Sequence, residues 1–322
     1  MKAIRVHHNG PPSVLKLEDV KAPEATPGHL LIEVAAAGVN FIDIYQRTGL
    51  YPVPRPYTPG SEAAGRVVAL GANVQGFAVG DVVATVGALG SYAEHCLVPA
   101  DKAVKVPEGI EPRSAAAALL QGMTAHYLVT STYPLGPGKT CLVHAAAGGV
   151  GLLLVQLAKR LGAHVYGTVS TEEKARLARE AGADEVILYT RQDFEAELRK
   201  ATGGRGVDVV YDSVGQSTFD KSLSVLANLG MLVLFGQSSG PVSPVSPSTL
   251  AKGSHFLTRP SLFHYVADRE SLERRAADVF GWILDGSLKL RIEHSVPLAE
   301  AADAHHLLES RQTTGKVLIE PV

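Results

Sequence analysis

Apolar residues in the first third of the chain come in short runs, at 30–34, 65–70, 81–86 and 94–98, set apart by polar stretches. Thr26-Pro27-Gly28 and the proline-rich segment 52–59 are the plainest breaks. Short, evenly spaced runs with turn residues between them predict the strands of a barrel or sandwich. Near residue 115 the pattern changes. Strand-like runs at 140–145, 163–169, 185–189, 207–214 and 229–235 alternate with helix-like stretches at 149–161, 170–181, 191–201 and 217–228. Gly162 and Gly182 close two of these helices, and Gly203-Gly204 breaks a third. Repeated βαβ units of this length predict a doubly wound parallel sheet. After about residue 260, helical patterns at 270–284 and 299–309 flank a strand at 294–298, and a last strand follows at 316–319. That tail is short for a separate unit, so it is expected to fold back onto the first, with the βαβ region as an insertion. The chain divides accordingly into 1–118, 119–259 and 260–322.

One stretch breaks the apolar pattern. Between Val143 and Leu152 stands Ala145-Ala146-Ala147-Gly148-Gly149-Val150-Gly151, after a strand and opening a helix. Ala146-x-Gly148-x-x-Gly151 resembles the dinucleotide fingerprint, with alanine in its first position. Small residues permit a tight turn and a close approach of backbone to a pyrophosphate, and the helix N-terminus offers free N–H groups. Gly151 suits close packing of helix on strand. An NAD site carries an acid at the end of the next strand to bind the ribose 2′-hydroxyl. Here that strand ends Thr168-Val169-Ser170. Ser170-x-x-Glu173 reads as a capping box, which gives the glutamate a structural task. Ser170 and Lys174 would receive a 2′-phosphate, so the expected cofactor is NADPH.

Composition narrows the partners. Hydrophobic residues are 46% and charged residues 19%, a globular balance, and 30 basic against 32 acidic residues leave a net charge of −2. Nucleic acid is not an expected partner at that charge. Two cysteines, Cys96 and Cys141, exclude a disulfide framework or a cysteine-rich zinc lobe. No signal peptide and no run of about 18 apolar residues is present, so a cytoplasmic chain without a membrane span is expected.

Further motifs are Gly38-Val39-Asn40-Phe41-Ile42-Asp43, Gly60-Ser61-Glu62-Ala63-Ala64-Gly65 and Gly80-Asp81-Val82-Val83. With the glycine turn they resemble the medium-chain dehydrogenase/reductase superfamily. In its zinc alcohol dehydrogenases the first motif carries a cysteine ligand and the second a histidine. Here those places hold Asn40 and Ser61, which do not replace thiolate or imidazole on zinc. The run from Gly138 to Lys159, Tyr211-Asp212-Ser213-Val214-Gly215, Phe235-Gly236-Gln237-Ser238-Ser239-Gly240 and Thr258-Arg259-Pro260-Ser261 narrow the likeness. Over nearly its whole length the chain is similar to the zinc-independent quinone oxidoreductase (ζ-crystallin-like) family.

The resemblance implies a GroES-like β-barrel catalytic domain, a Rossmann NADPH-binding domain, no metal and a homodimer. It implies Asn40, Asp43 and Thr124 near the nicotinamide, and Gly148, Gly149 and Val150 at the pyrophosphate. Thr168, Ser170, Lys174 and Tyr189 fall on the adenosine side. Ser213, Phe235, Gly236 and Ser238 would hold the nicotinamide half, with Phe256 and Thr258 at its amide. Arg311 or Lys316 would close over the cofactor.

A quinone-like small molecule is easy to reduce because its product is aromatic, so donors to the developing oxyanion would suffice. Asn40, Tyr45 and Tyr51 are the candidates, and the tyrosines also offer faces for stacking. Asn40 as a turn cap, Asp43 at a helix N-terminus and Phe235 in the core are the plainer readings of those residues. Cys96 and Cys141 read as buried small hydrophobes, and His305-His306 as a solvated helix face. An α,β-unsaturated ketone or aldehyde is the alternative acceptor. An NADPH-binding structural or RNA-binding protein without turnover is the alternative of another class.

Overall fold

The computed structural model describes residues 1–321. The chain forms two compact units, Met1–Met123 with the segment from Val266 onward, and Thr124–Tyr265. The first unit is therefore discontinuous, and the second is inserted into it.

The first unit opens with β1 (Lys2–Arg5) and β2 (Lys16–Asp19), an antiparallel pair. Then follow β3 (His29–Val39), α1 (Phe41–Thr48), β4 (Glu62–Leu70), β5 (Val82–Val86), β6 (His95–Pro99), β7 (Ala103–Lys105) and α2 (Pro112–Tyr127). β3 is the hub. Leu30, Ile32 and Val34 alternate inward with exposed or half-exposed neighbours, as a strand with one wet face requires. Its last four residues, Ala36 to Val39, are buried on both faces, and all are small or β-branched. Gly38 has no room for a side chain: a Cβ there would lie 2.2 Å from Glu62 Oε2 and 2.8 Å from Ala116 O.

The second unit holds β8 (Thr140–His144), α3 (Gly149–Arg160), β9 (His164–Val169), α4 (Glu172–Glu180), β10 (Glu185–Leu188) and α5 (Phe194–Ala201). It continues with β11 (Val207–Asp212), α6 (Phe219–Ser224), β12 (Leu226–Leu234), β13 (Phe256–Thr258) and α7 (Leu262–Tyr265). Its six strands run parallel in the order β10-β9-β8-β11-β12-β13. The order reverses between β8 and β11, the switch point of a doubly wound sheet, where ligands bind beyond the C-terminal strand ends. Leu142, Tyr166, Ile187, Val210 and Leu232 belong to its core.

The chain then returns to the first unit with α8 (Arg269–Leu284), β14 (Ile292–Pro297), α9 (Ala301–Glu309) and β15 (Lys316–Glu320). β15 pairs with the end of β3, Val317 opposite Val39, which extends the sheet to β14-β15-β3-β4-β5-β7 with β6 also on β3.

Two local expectations fail. The apolar run 217–228 is not one helix. α6 ends at Ser224, and Leu226 pairs with Val207 as the first residue of β12. The strand then kinks at Leu229, whose φ is 63°. Sheet pairing outweighs the helical pattern. The cap of α4 is Thr171, whose hydroxyl accepts from Lys174 N–H at 3.2 Å, so Ser170 and Glu173 do not form the capping box.

Candidate active site

At the end of β3 lies a buried polar cluster. Glu62 and Lys316 are 0% and 2% exposed, and Lys316 Nζ lies 2.6 Å from Glu62 Oε2. Lys316 also donates to Asn40 Oδ1 at 2.8 Å. The Asn40 amide donates to Gly38 O at 3.1 Å and Glu62 Oε2 at 2.9 Å. Glu62 Oε1 accepts from Leu120 N–H of α2 at 2.6 Å. One carboxylate thus ties β4, β3, β15 and α2 together, and the glycine at position 38 makes room for it.

A second branch starts at Asn40, the residue preceding α1. Its backbone N–H donates to Asp43 Oδ2 at 2.9 Å, and Asp43 also accepts from Ser61 Oγ at 2.9 Å and Tyr92 OH at 3.2 Å. Tyr92 OH lies 3.1 Å from His305 Nε2, and His305 Nδ1 lies 3.1 Å from Arg47 Nη1. Arginine only donates, so Nδ1 accepts and the ring hydrogen sits on Nε2. The direction is then fixed from Arg47 to His305 to Tyr92 to Asp43. Arg47 is completed by Glu309, 2.5 Å from Nη2. Burial raises the Asp43 carboxyl to about 6 against the pull of its three donors. Burial, with Arg47 adding to it, drives His305 down to about 3.

In the second unit, β8 turns through Ala145, whose φ is 51°, into Gly148, the N-cap of α3. Leu152 N–H is the first to bond back, to Gly148 O at 2.9 Å. The amides of Gly149, Val150 and Gly151 therefore have no acceptor within the helix and are open to an anion. A Cβ on Gly151 would lie 2.2 Å from Ala145 O, so this glycine lets the helix sit against the turn. Past β9, Ser170 stands where a carboxylate would be; Glu172 pairs with Arg191 at 3.1 Å, and Thr190 Oγ1 holds Ser170 O at 2.9 Å. Ser170 and Lys174 are half-buried and Tyr189 is exposed. A hydroxyl at the strand end and a lysine one turn into the helix fit the 2′-phosphate of NADPH.

The strand ends of this unit are pinned by a second relay. Asp212 accepts from Val214 N and Gly215 N at 2.8 and 3.0 Å, and from Thr218 Oγ1 and Ser222 Oγ at 2.7 and 3.0 Å. Ser222 Oγ lies 2.9 Å from His144 Nε2, and His144 Nδ1 lies 2.8 Å from Thr168 Oγ1. With Ser222 donating to the carboxylate, His144 must donate through Nε2 and accept the Thr168 hydroxyl. Burial lowers the pKa of His144, against the pull of Asp212. The loops after β11 and β12 lie side by side: Phe235 N–H and Ser238 N–H donate to Asp212 O and Ser213 O at 2.9 and 3.1 Å. A Cβ on Gly236 would meet Ser213 O at 2.5 Å.

Several expected roles need correction. Asn40 is not an oxyanion donor, because both its amide hydrogens are taken by Gly38 and Glu62. Asp43 is fully buried with both oxygens engaged, so it positions Asn40 rather than meeting a cofactor. Lys316 is locked to Glu62 and does not close over anything; Arg311, in the turn after α9, is exposed. The Thr168 hydroxyl serves His144. Phe256 opens β13 opposite Met231, set back from the loop end that Thr258 reaches, and is half exposed. Thr124 is buried on α2. His305 is fully buried, not solvated. Tyr45 and Tyr51 do come together, rings 5.3 Å apart edge to face, with Phe41 6.0 Å from Tyr45. Glu62, Tyr92, Arg47 and Asp212 are the residues the sequence pattern does not single out. A lone acid in the apolar run 62–64 and the spacing of Ala301 and Ala304 to His305 are the signals that point to two of the buried groups. Among the described residues no three His, Cys, Asp or Glu side chains group together for a metal, and no helix is long and apolar enough to cross a membrane.

A parallel sheet ending in a glycine turn, joined in sequence to a discontinuous β-rich unit, defines a two-domain nucleotide-binding dehydrogenase. The family model of the alcohol dehydrogenase GroES-like domain matches residues 26–108, and that of the zinc-binding dehydrogenase matches 149–270. The chain is 45% identical to a quinone oxidoreductase of Pseudomonas aeruginosa over 99% of each chain. It is 41% identical to a 2-haloacrylate reductase of Burkholderia over 98% of each. The crystal structure of Escherichia coli quinone oxidoreductase complexed with NADPH matches with a TM-score of 0.97 at 42% identity, covering 100% of both chains. The chain belongs to the quinone oxidoreductase family of the medium-chain dehydrogenase/reductase superfamily, and its fold is a GroES-like domain with a Rossmann domain.

Proposed function

We propose that this chain reduces quinones with NADPH and without zinc. The observation that carries the reading is the acid-free end of β9, where Ser170 stands with Lys174 one turn on, in a chain whose full-length relatives are named quinone oxidoreductases. The free amides of Gly149, Val150 and Gly151 bind the pyrophosphate; the Gly148 amide, expected to join them, is taken by Ala145 O at 2.8 Å, so Gly148 serves through its lack of a side chain. Ser170, Lys174 and Tyr189 bind the 2′-phosphate, and the paired loops at Ser213 and Phe235 to Ser238, with Thr258, hold the nicotinamide half. When bound, NADPH supplies the hydride. Tyr45 and Tyr51 give the quinone ring a flat wall. The protein works in the cytosol as a homodimer, a reading supported by the family likeness and the absence of an apolar spanning helix among the described residues.

A second reading, reduction of an α,β-unsaturated carbonyl compound, is favoured by the 2-haloacrylate reductase among the relatives. Steady-state rates on naphthoquinones and alkenals separate the two; alkenal turnover well above quinone turnover would overturn the first. For the cofactor, Lys174→Ala should lower the ratio of NADPH to NADH affinity about tenfold, the order expected for one charge-assisted contact to phosphate. An unchanged ratio in a fluorescence titration would remove Lys174 from the site.

A further inference from the structure

Two primary amides meet at the end of β3, and they differ in how fully they are used. A carboxamide has two N–H donors and two lone pairs. All of Asn40's are engaged: Gly38 O and Glu62 take its hydrogens, and Lys316 and Gln121 donate to its oxygen. Gln121, on α2, is 9% exposed, yet its side chain makes one hydrogen bond among the described residues. That bond is long, 3.5 Å from Nε2 to Asn40 Oδ1. One N–H and the whole of Oε1 remain without a protein partner. Its free oxygen is not among the fully buried side-chain atoms that lack a partner, so this end of the amide opens to solvent and can be reached by a ligand.

The surroundings of Gln121 are closely packed. The atom it touches, Asn40 Oδ1, is held by the Lys316 ammonium inside a buried ion pair. The next residue, Gly122, leaves no space above its backbone, since a Cβ there would meet Val279 Cγ1 of α8 at 2.7 Å. The helix backbone beneath Gln121 is thus closely packed, its amide touches a fixed oxygen, and the rest of its hydrogen-bonding capacity is unused.

We propose that Gln121 binds the carbonyl oxygen of the electron acceptor and donates its unused N–H to that oxygen as negative charge builds on it. The inference rests on the quinone-reductase reading above. It gives Gln121 the task that the engaged amide of Asn40 does not perform. In the reaction the C4–H bond of NADPH breaks, and its hydride, with two electrons, bonds to the quinone. The acceptor oxygen left negative takes one proton from water. One quinone, one NADPH and one proton become one hydroquinone and one NADP⁺. The acceptor oxygen changes from a pure acceptor to a hydroxyl that also donates. A primary amide matches both states, with Nε2–H facing the substrate oxygen and Oε1 facing the product hydroxyl.

The test uses Gln121→Leu, which keeps the bulk and removes both groups, and Gln121→Glu, which keeps only an acceptor. With 1,4-naphthoquinone, kcat of either variant should fall at least tenfold. The dissociation constant for NADPH, titrated without quinone, should stay within twofold of the parent. Binding of 1,4-naphthohydroquinone to the protein loaded with NADP⁺ should weaken at least fivefold in Gln121→Leu and persist in Gln121→Glu. A loss of kcat below tenfold in both variants overturns the assignment. So does a loss of NADPH affinity as large as the loss of kcat, because the amide would then serve the cofactor. A parent that reduces no quinone defeats the functional reading itself, whereas an active parent beside unimpaired variants defeats only the role of Gln121.

Discussion

In both units a buried neutral histidine passes hydrogen bonds through a hydroxyl to an aspartate, and the aspartate holds the backbone at the end of a strand. In the second unit Thr168, His144, Ser222 and Asp212 fix the start of the loop at Val214 and Gly215. In the first, Arg47, His305, Tyr92 and Asp43 fix Asn40. The partners differ. Asp212 is satisfied by residues 2 to 10 positions away, two of them by backbone N–H. Asp43 and Glu62 depend on side chains brought from β15, α9 and the segment before β6, and on two buried cations. Local satisfaction gives a site that survives the loss of any one distant contact. Long-range satisfaction gives one that a single substitution can strand.

The largest effect should follow from stranding a charge. Lys316→Met leaves Glu62 buried and unpaired, and should cost about 4 kcal/mol of stability in urea unfolding. The double variant Glu62→Gln with Lys316→Met should recover at least half of it, because the orphaned charge goes too. Asp212→Asn keeps the shape and the acceptor for two backbone amides, and should cost about 1 to 2 kcal/mol. A larger loss for Asp212→Asn than for Lys316→Met would reverse the comparison between the units.

Acid sharpens it. His305 titrates near 3 in the folded chain and at about 6.5 when unfolded, so the unfolded state binds more protons between those values. Its contribution is complete above about pH 6.5 and is lost as pH falls toward 3, about 5 kcal/mol in all. Asp43 runs the other way. Its folded value of about 6 lies above the unfolded value of about 3.9, so it stabilises below about pH 4 and that gain is lost as pH rises through 6, about 3 kcal/mol in all. The two oppose each other across pH 4 to 6. His305→Gln keeps both hydrogen bonds and removes the titration. Between pH 7 and pH 4 the parent should lose about 3 kcal/mol relative to this variant, with Asp43 common to both. A difference constant within 1 kcal/mol would place the acid response outside this relay.

The same contrast decides what the sequence makes legible. The second unit is built from local periods: apolar strand, glycine turn, amphipathic helix. Its sheet and its phosphate turn can be read from residues near one another, and the errors fall where pairing overrides a local pattern, as at Leu226. The first unit's site is assembled from positions 40, 43, 47, 61, 62, 92, 305, 309 and 316. Asn40, Asp43 and Lys316 stand out in sequence, but their tasks do not, because each task is set by a partner far along the chain. A charge in an apolar strand, such as Glu62, is the local trace of such a partner, and it does not name which partner.

The smallest prediction tests the local end of this scale. The turn after β8 needs a left-handed residue, and the chain uses Ala145 at a φ of 51°. Its carbonyl then accepts Gly148 N–H at 2.8 Å and lies where a Cβ of Gly151 would be. For alanine this conformation costs about 1 to 2 kcal/mol. Ala145→Gly removes that strain, but the freer unfolded chain takes back roughly 0.5 to 1 kcal/mol. The net should be a gain of about 0.5 kcal/mol, or a Tm higher by about 1 °C for a chain of this size. Ala145 is exposed, so no packing change offsets it. A fall in Tm would mean that the methyl group contributes to the turn in a way the backbone geometry does not require. It would also show that even the most locally built part of the molecule depends on something beyond its own residues.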